Sequence, residues 1–114
     1  MSMNDEAFAA TPFCMVLTTV PDAEQAETLA RQIVAAGLGA CVQVEPISSF
    51  YVWKGATCAD PEWRLSIKTC AARYPALEAF IRARHPYEVP QIVQVPITGG
   101  SADYLQWVAQ GSAG

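Results

Sequence analysis

The run from Cys41 to Cys70 reads as one long β-hairpin, and no other stretch narrows the possible folds so far. Its first half, Cys41 to Lys54, is rich in Val, Ile, Phe, Tyr and Trp, residues that suit a pleated, half-buried surface. Its second half alternates strictly. Trp63, Leu65, Ile67 and Thr69 share one face, while Glu62, Arg64, Ser66 and Lys68 share the other. Pro46 interrupts the first half. Proline has no N–H to give a ladder, so a bulge or a sheet edge is expected there. Gly55 to Pro61 supplies the expected turn.

The flanking segments fit around this hairpin. Phe13 to Val20 reads as a strand with apolar residues on both faces, so cover is expected on both sides. Asp22 can cap the next helix, and Gln25, three positions on, can return the bond. Ala26, Leu29, Ala30, Ile33 and Val34 follow at helical spacing, and Gly37 suits a left-handed terminator. Ala72 to His85 is a second helix with Tyr74, Leu77 and Ile81 on one stripe; Pro75 is tolerable only in its first turn. Gln91 to Ile97 is a strand. Ser101 can cap a last short helix ending near Gln110. Residues 1–11 are expected to form a loose tail, 12–110 a single domain and 111–114 a second tail.

The order is β-α-β-β-α-β plus a terminal helix, an α+β arrangement of the ferredoxin-like type. Two helices cover one face of a four-stranded sheet. The other face carries Tyr, Trp, Val and Ile side chains whichever parity is chosen, and another copy of the same sheet would cover it. Composition agrees. Charged residues are 16% of the chain and hydrophobic ones 52%, against about 25% charged in typical soluble domains. No apolar run approaches the roughly 20 residues that span a bilayer, so the surplus points to self-association and not to a membrane. The net charge of −4 argues against nucleic acid as a partner. Cys14, Cys41, Cys58 and Cys70 form no C-x-x-C pair, which removes the zinc-finger and thioredoxin-like readings. Cys58 is expected to be the exposed thiol. With no secretory signal at the start, reduced thiols and a cytoplasmic setting are expected.

One connection is unusually stiff. In His85-Pro86-Tyr87-Glu88-Val89-Pro90, Pro86 biases His85 out of the helix and Pro90 biases Val89 toward extended backbone. The elbow presents His85, Tyr87 and Glu88 in nearly fixed directions. His85 is the one histidine of the chain. It can serve structure at the helix end, bonding the last carbonyls, or contact a ligand or metal in a cleft.

The elbow resembles the helix-to-strand junction of the CutA divalent-cation tolerance proteins. So, in order and spacing, do Thr18-Thr19-Val20-Pro21-Asp22, Gly39-Ala40-Cys41-Val42, Tyr51-Val52-Trp53-Lys54-Gly55, Ile67-Lys68-Thr69, Pro96-Ile97 and Tyr104-Leu105-Gln106-Trp107. The resemblance implies a PII-like homotrimer whose sheets pack around a three-fold axis, with long hairpins reaching onto neighbours. It implies a role in divalent-cation tolerance, copper above all, without enzymatic activity. The family's copper-associated positions are a cysteine at the end of the first strand and two histidines before Pro-Tyr. They fall here on Thr18, Arg84 and His85. Threonine is a poor metal ligand, and Arg84 adds a fixed cation. Cys41 and Glu88 could assist His85 in holding copper or another divalent cation.

Two further readings come from other classes. Lys68 and Arg64 share a polar face that is ordinarily solvated. Placed instead with Tyr51, Tyr87 and Glu88 along a cleft between subunits, they would suit a small anion, as in the PII signalling trimers. Trp53, Phe50 and Trp107 are expected to be packing and interface anchors, which also allows a trimeric platform for protein partners. No Gly-rich phosphate loop is present; Gly99-Gly100 is too short to count as one.

Overall fold

A computed structural model describes residues 12–112. The tail expected over residues 1–11, and the last two positions, lie outside the described residues. Strand β1 (Phe13–Val20) leads to helix α1 (Ala23–Ala35). The hairpin β2 (Cys41–Trp53) and β3 (Ala56–Cys70) follows. A 3-10 turn (Ala71–Arg73) enters helix α2 (Tyr74–Arg84). Strand β4 (Ile92–Pro96) and helix α3 (Ala102–Gly111) close the chain. The sheet order is β2-β3-β1-β4, with every neighbouring pair antiparallel. This is the expected ferredoxin-like α+β arrangement with a C-terminal helix.

Local chemistry sets the boundaries. The Asp22 carboxylate accepts the Gln25 N–H at 2.8 Å, and the Gln25 side chain donates back to the same carboxylate at 2.8 Å. Such a cap contributes about 1 kcal/mol. Gly37, at φ 70°, closes α1 in a Schellman turn: its N–H bonds the Val34 carbonyl and the Leu38 N–H bonds that of Ile33. Pro75 sits in the first turn of α2, where its missing N–H costs nothing.

The hairpin turn differs from expectation. It is not Gly55–Pro61 but the two residues Lys54 and Gly55, with Trp53 facing Ala56 across it. Both central residues have positive φ, 50° and 81°, the pattern of a type I′ turn that matches strand twist. Ala56 to Pro61 is therefore strand. Pro61 is accommodated because β1 ends opposite Trp63, so the preceding residues of β3 have β2 as their one neighbour. Counted from the turn, Pro46 and Pro61 both fall in pairs that exchange no ladder bonds. The register runs unbroken past Pro46, so edge placement and not a bulge accommodates it.

The helices pack on one face of the sheet. Cys14, Val16, Leu65 and Ile67 are buried there against Leu29, Ile33, Leu77 and Ile81. Burial also pushes the Cys14 thiol up to about 11. The opposite face is covered within one chain only at its base, where the end of α3 brings Ser112 Oγ within 3.3 Å of Cys70 Sγ; the rest of it carries Met15, Leu17, Ile47, Tyr51, Trp53, Val93 and Val95 by strand parity. At the C-terminus the fold runs past the expected boundary at Gln110. Gly111 is helical, and Ser112 is fully buried, its Oγ donating to the Val108 carbonyl at 2.6 Å. Arg73 donates to its backbone carbonyl at 3.0 Å.

Candidate functional site

The proline elbow is built as its sequence dictates. His85 caps α2 with extended backbone, φ −84° and ψ 137°. Its ring does not return to the last helical carbonyls. Nε2 lies 2.7 Å from the Thr19 carbonyl at the end of β1, and Nδ1 accepts the Tyr87 N–H at 3.1 Å. A carbonyl only accepts, so Nε2 holds the proton. Burial holds the ring's pKa below 6.5, against the opposing pulls of the Thr19 carbonyl and Glu62. The neutral ring thus has its Nδ1 lone pair occupied and Nε2 protonated, leaving neither nitrogen free for a metal. It clamps the elbow to β1.

Tyr87 is held in turn. Its ring lies 4.9 Å from that of His85, and its hydroxyl donates to Glu62 Oε2 at 2.7 Å. Burial, then the bond to Glu62, raises its pKa far above 10, so it stays a neutral donor. Glu62 is 8% exposed. On the hairpin, the Tyr51 hydroxyl donates to Asp60, a bond that pushes its pKa up to about 12. Between the hairpin tip and the elbow lies a cleft of about 620 Å³. Phe50, Tyr51 and Trp53 line it from the hairpin, Tyr87 and Glu88 from the elbow, and Glu62 from β3. Among the described residues no lysine or arginine lines it. Lys54 reaches over from the turn. Its Nζ is 3.9 Å from the Glu88 carboxylate and 5.7 Å from the centre of the Trp53 ring.

The structure thus brings together Tyr51, Tyr87 and Glu88 and leaves out Lys68 and Arg64. These two project from the hairpin base. Lys68 donates to Gln43, and Arg64 donates to Glu45 Oε1 at 2.7 and 3.0 Å. Cys41 is set apart as well. It faces Lys68, four positions along β3 from the Arg64–Thr19 pair near which His85 sits. At ~3.3 Å per residue that is about 13 Å, so Cys41 and His85 do not meet within one chain. The other copper-associated positions also diverge. Thr18 is fully buried toward the helices, with its hydroxyl unpartnered, and the Arg84 guanidinium lies 3.5 Å from the Phe80 ring centre. Among the described residues no three of His, Cys, Asp and Glu converge to hold a metal ion. Phe50, Trp53 and Trp107 are 77%, 40% and 49% exposed. Cys58, expected to be the exposed thiol, is half-buried in β3.

Sequence reasoning missed Glu62 as a cleft residue and Asp60 as the acceptor that holds Tyr51. The available signal was the Cys58-Ala59-Asp60-Pro61-Glu62 segment, which reads as a turn until the I′ pair Lys54-Gly55 is placed.

The sequence model of the CutA1 divalent ion tolerance protein family matches residues 14–111. The chain belongs to this family. It is 41% identical over 97 residues to the divalent-cation tolerance protein CutA of Thermus thermophilus, covering 84% of this chain and 94% of that one. It is 43% identical over 93 residues to the human protein CutA, covering 81% of this chain and 52% of the human one. The chain thus spans little more than half the length of its human and Arabidopsis relatives. Among solved structures, CutA1 of Shewanella sp. SIB1 superposes with a TM-score of 0.87 at 38% identity, covering 91% of this chain and 98% of that one.

Proposed function

We propose that the chain acts in divalent-cation tolerance as a non-enzymatic homotrimer that binds its cation at subunit boundaries, in the cytoplasm. The observation that carries this reading is the part of the sheet face that α3 leaves open, on which Val93 and Val95 are 43% and 37% exposed. A closed ring of three copies would bury it. The four free thiols suit a reducing compartment. Among the described residues of one chain the metal donors do not converge, so a closed coordination shell would draw on groups from a second copy. Near the cleft those groups are the oxygens of Asp60, Glu62 and Glu88. Oxygen donors suit magnesium or manganese better than copper, which favours imidazole and sulfur. With Lys68 and Arg64 paired elsewhere, nothing in the cleft favours the anion reading.

A native mass spectrum, recorded alone and with a slight excess of magnesium or copper, tests the proposal. The expected species is a trimer that retains about three ions, one per subunit. A monomer would remove the boundary sites. A trimer that retains no ion would remove the cation role and leave a platform for protein partners.

A further inference from the structure

Two charged groups on the open sheet face lack an opposite charge. Lys68 stands in one cross-strand row with Met15 and Val95. Residues directly opposite share a face, so a ring that buries Val95 carries Lys68 into the boundary with it. Within one chain its ammonium donates to Gln43, a neutral amide, and among the described residues no carboxylate pairs with it. Glu62 is the matching case. It is 8% exposed, its donor is the neutral Tyr87 hydroxyl, and among the described residues no lysine or arginine pairs with it. Taking a lone charge out of water is strongly unfavourable unless an opposite charge comes with it.

The other charges near this face are answered. Arg64 holds Glu45 at 2.7 Å, and its row lies beyond the end of β4, clear of the Val93–Val95 strip. Lys54 faces Glu88 at 3.9 Å, and Asp60 is exposed and bonded by Tyr51. Lys68 and Glu62 cannot meet within one chain, because six residues of β3 separate them, about 20 Å along the strand. We propose that in the assembled ring Lys68 of one copy reaches the Glu62 carboxylate of the next, so that each boundary carries one buried ion pair and the cleft is complete only with a second copy. The two groups sit at opposite ends of the face, so the contact is head-to-tail, the kind that closes rings. The pair rests on the homotrimer reading, and it leaves Asp60 and Glu88 as oxygen donors for a cation.

The test is subunit exchange between unlabelled and heavy-isotope-labelled full-length protein, followed by native mass spectrometry. Removing one partner of a buried charge pair acts mainly on dissociation, so Lys68→Gln and Glu62→Gln should each speed exchange by about tenfold or more. Glu62→Gln keeps an acceptor for the Tyr87 hydroxyl, which spares the elbow. The double reversal, Glu62→Lys with Lys68→Glu, should exchange about tenfold more slowly than either reversal alone. Sites this far apart in one chain act additively, so such a rescue arises across a boundary. A single reversal too weak to assemble is read from its assembled fraction, which the double reversal should restore. Lys54→Gln should leave the rate within about twofold. Additive effects, or a double reversal that exchanges faster than both single ones, would overturn the proposal. So would a Lys54→Gln protein that exchanges as fast as Lys68→Gln, which would assign the Glu62 charge to Lys54. The native mass of the parent separates the two readings. A trimer with additive variants removes the pair and keeps the trimer, whereas a dimer with coupled variants removes the trimer and keeps the pair. A monomeric parent overturns both.

Discussion

The base and the tip of the β2–β3 hairpin carry similar side chains arranged to opposite effect. At the base each cation has a cross-strand partner, Lys68 with Gln43 and Arg64 with Glu45. At the tip the carboxylates of Asp60 and Glu62 are answered by the phenols of Tyr51 and Tyr87. One cation is paired with a carboxylate and the other with an amide, and together they form a quiet wall. At the tip the donors are neutral phenols, and Glu62 lines the cleft. The base also lies on the packed helices, whereas the tip projects past them, so the same strand pair is scaffold at one end and site at the other.

The largest expected effect tests the scaffold half of this contrast. Leu65 is fully buried at the base. Leu65→Ala should cost about 2–5 kcal/mol in chemical denaturation. Gly39→Ala acts in the opposite sense at the same level. A Cβ there would stand 2.6 Å from Ile67 and 3.0 Å from Ile33, and such overpacking costs about 1–3 kcal/mol. If either variant is as stable as the parent, the base is less tightly packed than the contrast requires.

At the tip, Tyr87→Phe leaves one oxygen of the nearly buried Glu62 without its donor. A loss of about 1–3 kcal/mol is expected. The loss should be local, with faster amide exchange at the elbow and unchanged exchange at Ala40 and Ala71, whose amides bond the Lys68 and Pro12 carbonyls. Uniform acceleration would mean that tip and base do not behave as separate regions.

Acid provides a gentler probe of the same separation. The His85 pKa is depressed in the folded chain, so the unfolded chain binds the proton first as pH falls. The stability this histidine contributes is fully present above about 6.5, the unfolded value. It is lost as pH falls through the lower folded value. Protonated Nδ1 can no longer accept the Tyr87 N–H, so the elbow should loosen before the base does. Denaturation midpoints measured across this range should fall in the parent and stay level in His85→Asn. A parallel fall in both proteins would place the titrating group elsewhere.

These contrasts were unequally legible in the sequence. The cap at Asp22, the terminator at Gly37 and the elbow at Pro86 depend on neighbours a few residues apart, so reading along the chain finds them. The alternation of Glu62 to Cys70 gives the two faces of β3 for the same reason. It does not give the position along a face. Arg64 and Lys68 share the polar face with Glu62, yet register places Arg64 opposite Glu45 and Lys68 diagonal to Gln43, and the Glu62 carboxylate accepts from Tyr87. The turn was misplaced because Asp60-Pro61 is a stronger breaker signal than a lysine at positive φ. Cys41 was joined to His85 on chemical type, and four residues of register separate them.

The smallest expected effect bears on why the base pairs are not a site. The Arg64–Glu45 contact is 2.7 Å long, but the two side chains remain 39% and 53% exposed. Water screens such a pair, and holding two long side chains in one geometry costs entropy. A double-mutant cycle with Arg64→Ala and Glu45→Ala should therefore give a coupling of about 0.2–1 kcal/mol that shrinks as salt rises. A larger, salt-insensitive coupling would mean that the pair is shielded in the assembled protein, because a neighbouring copy covers this part of the open face. The base would then belong to a subunit boundary, and the contrast would shift from scaffold against site to interface against site.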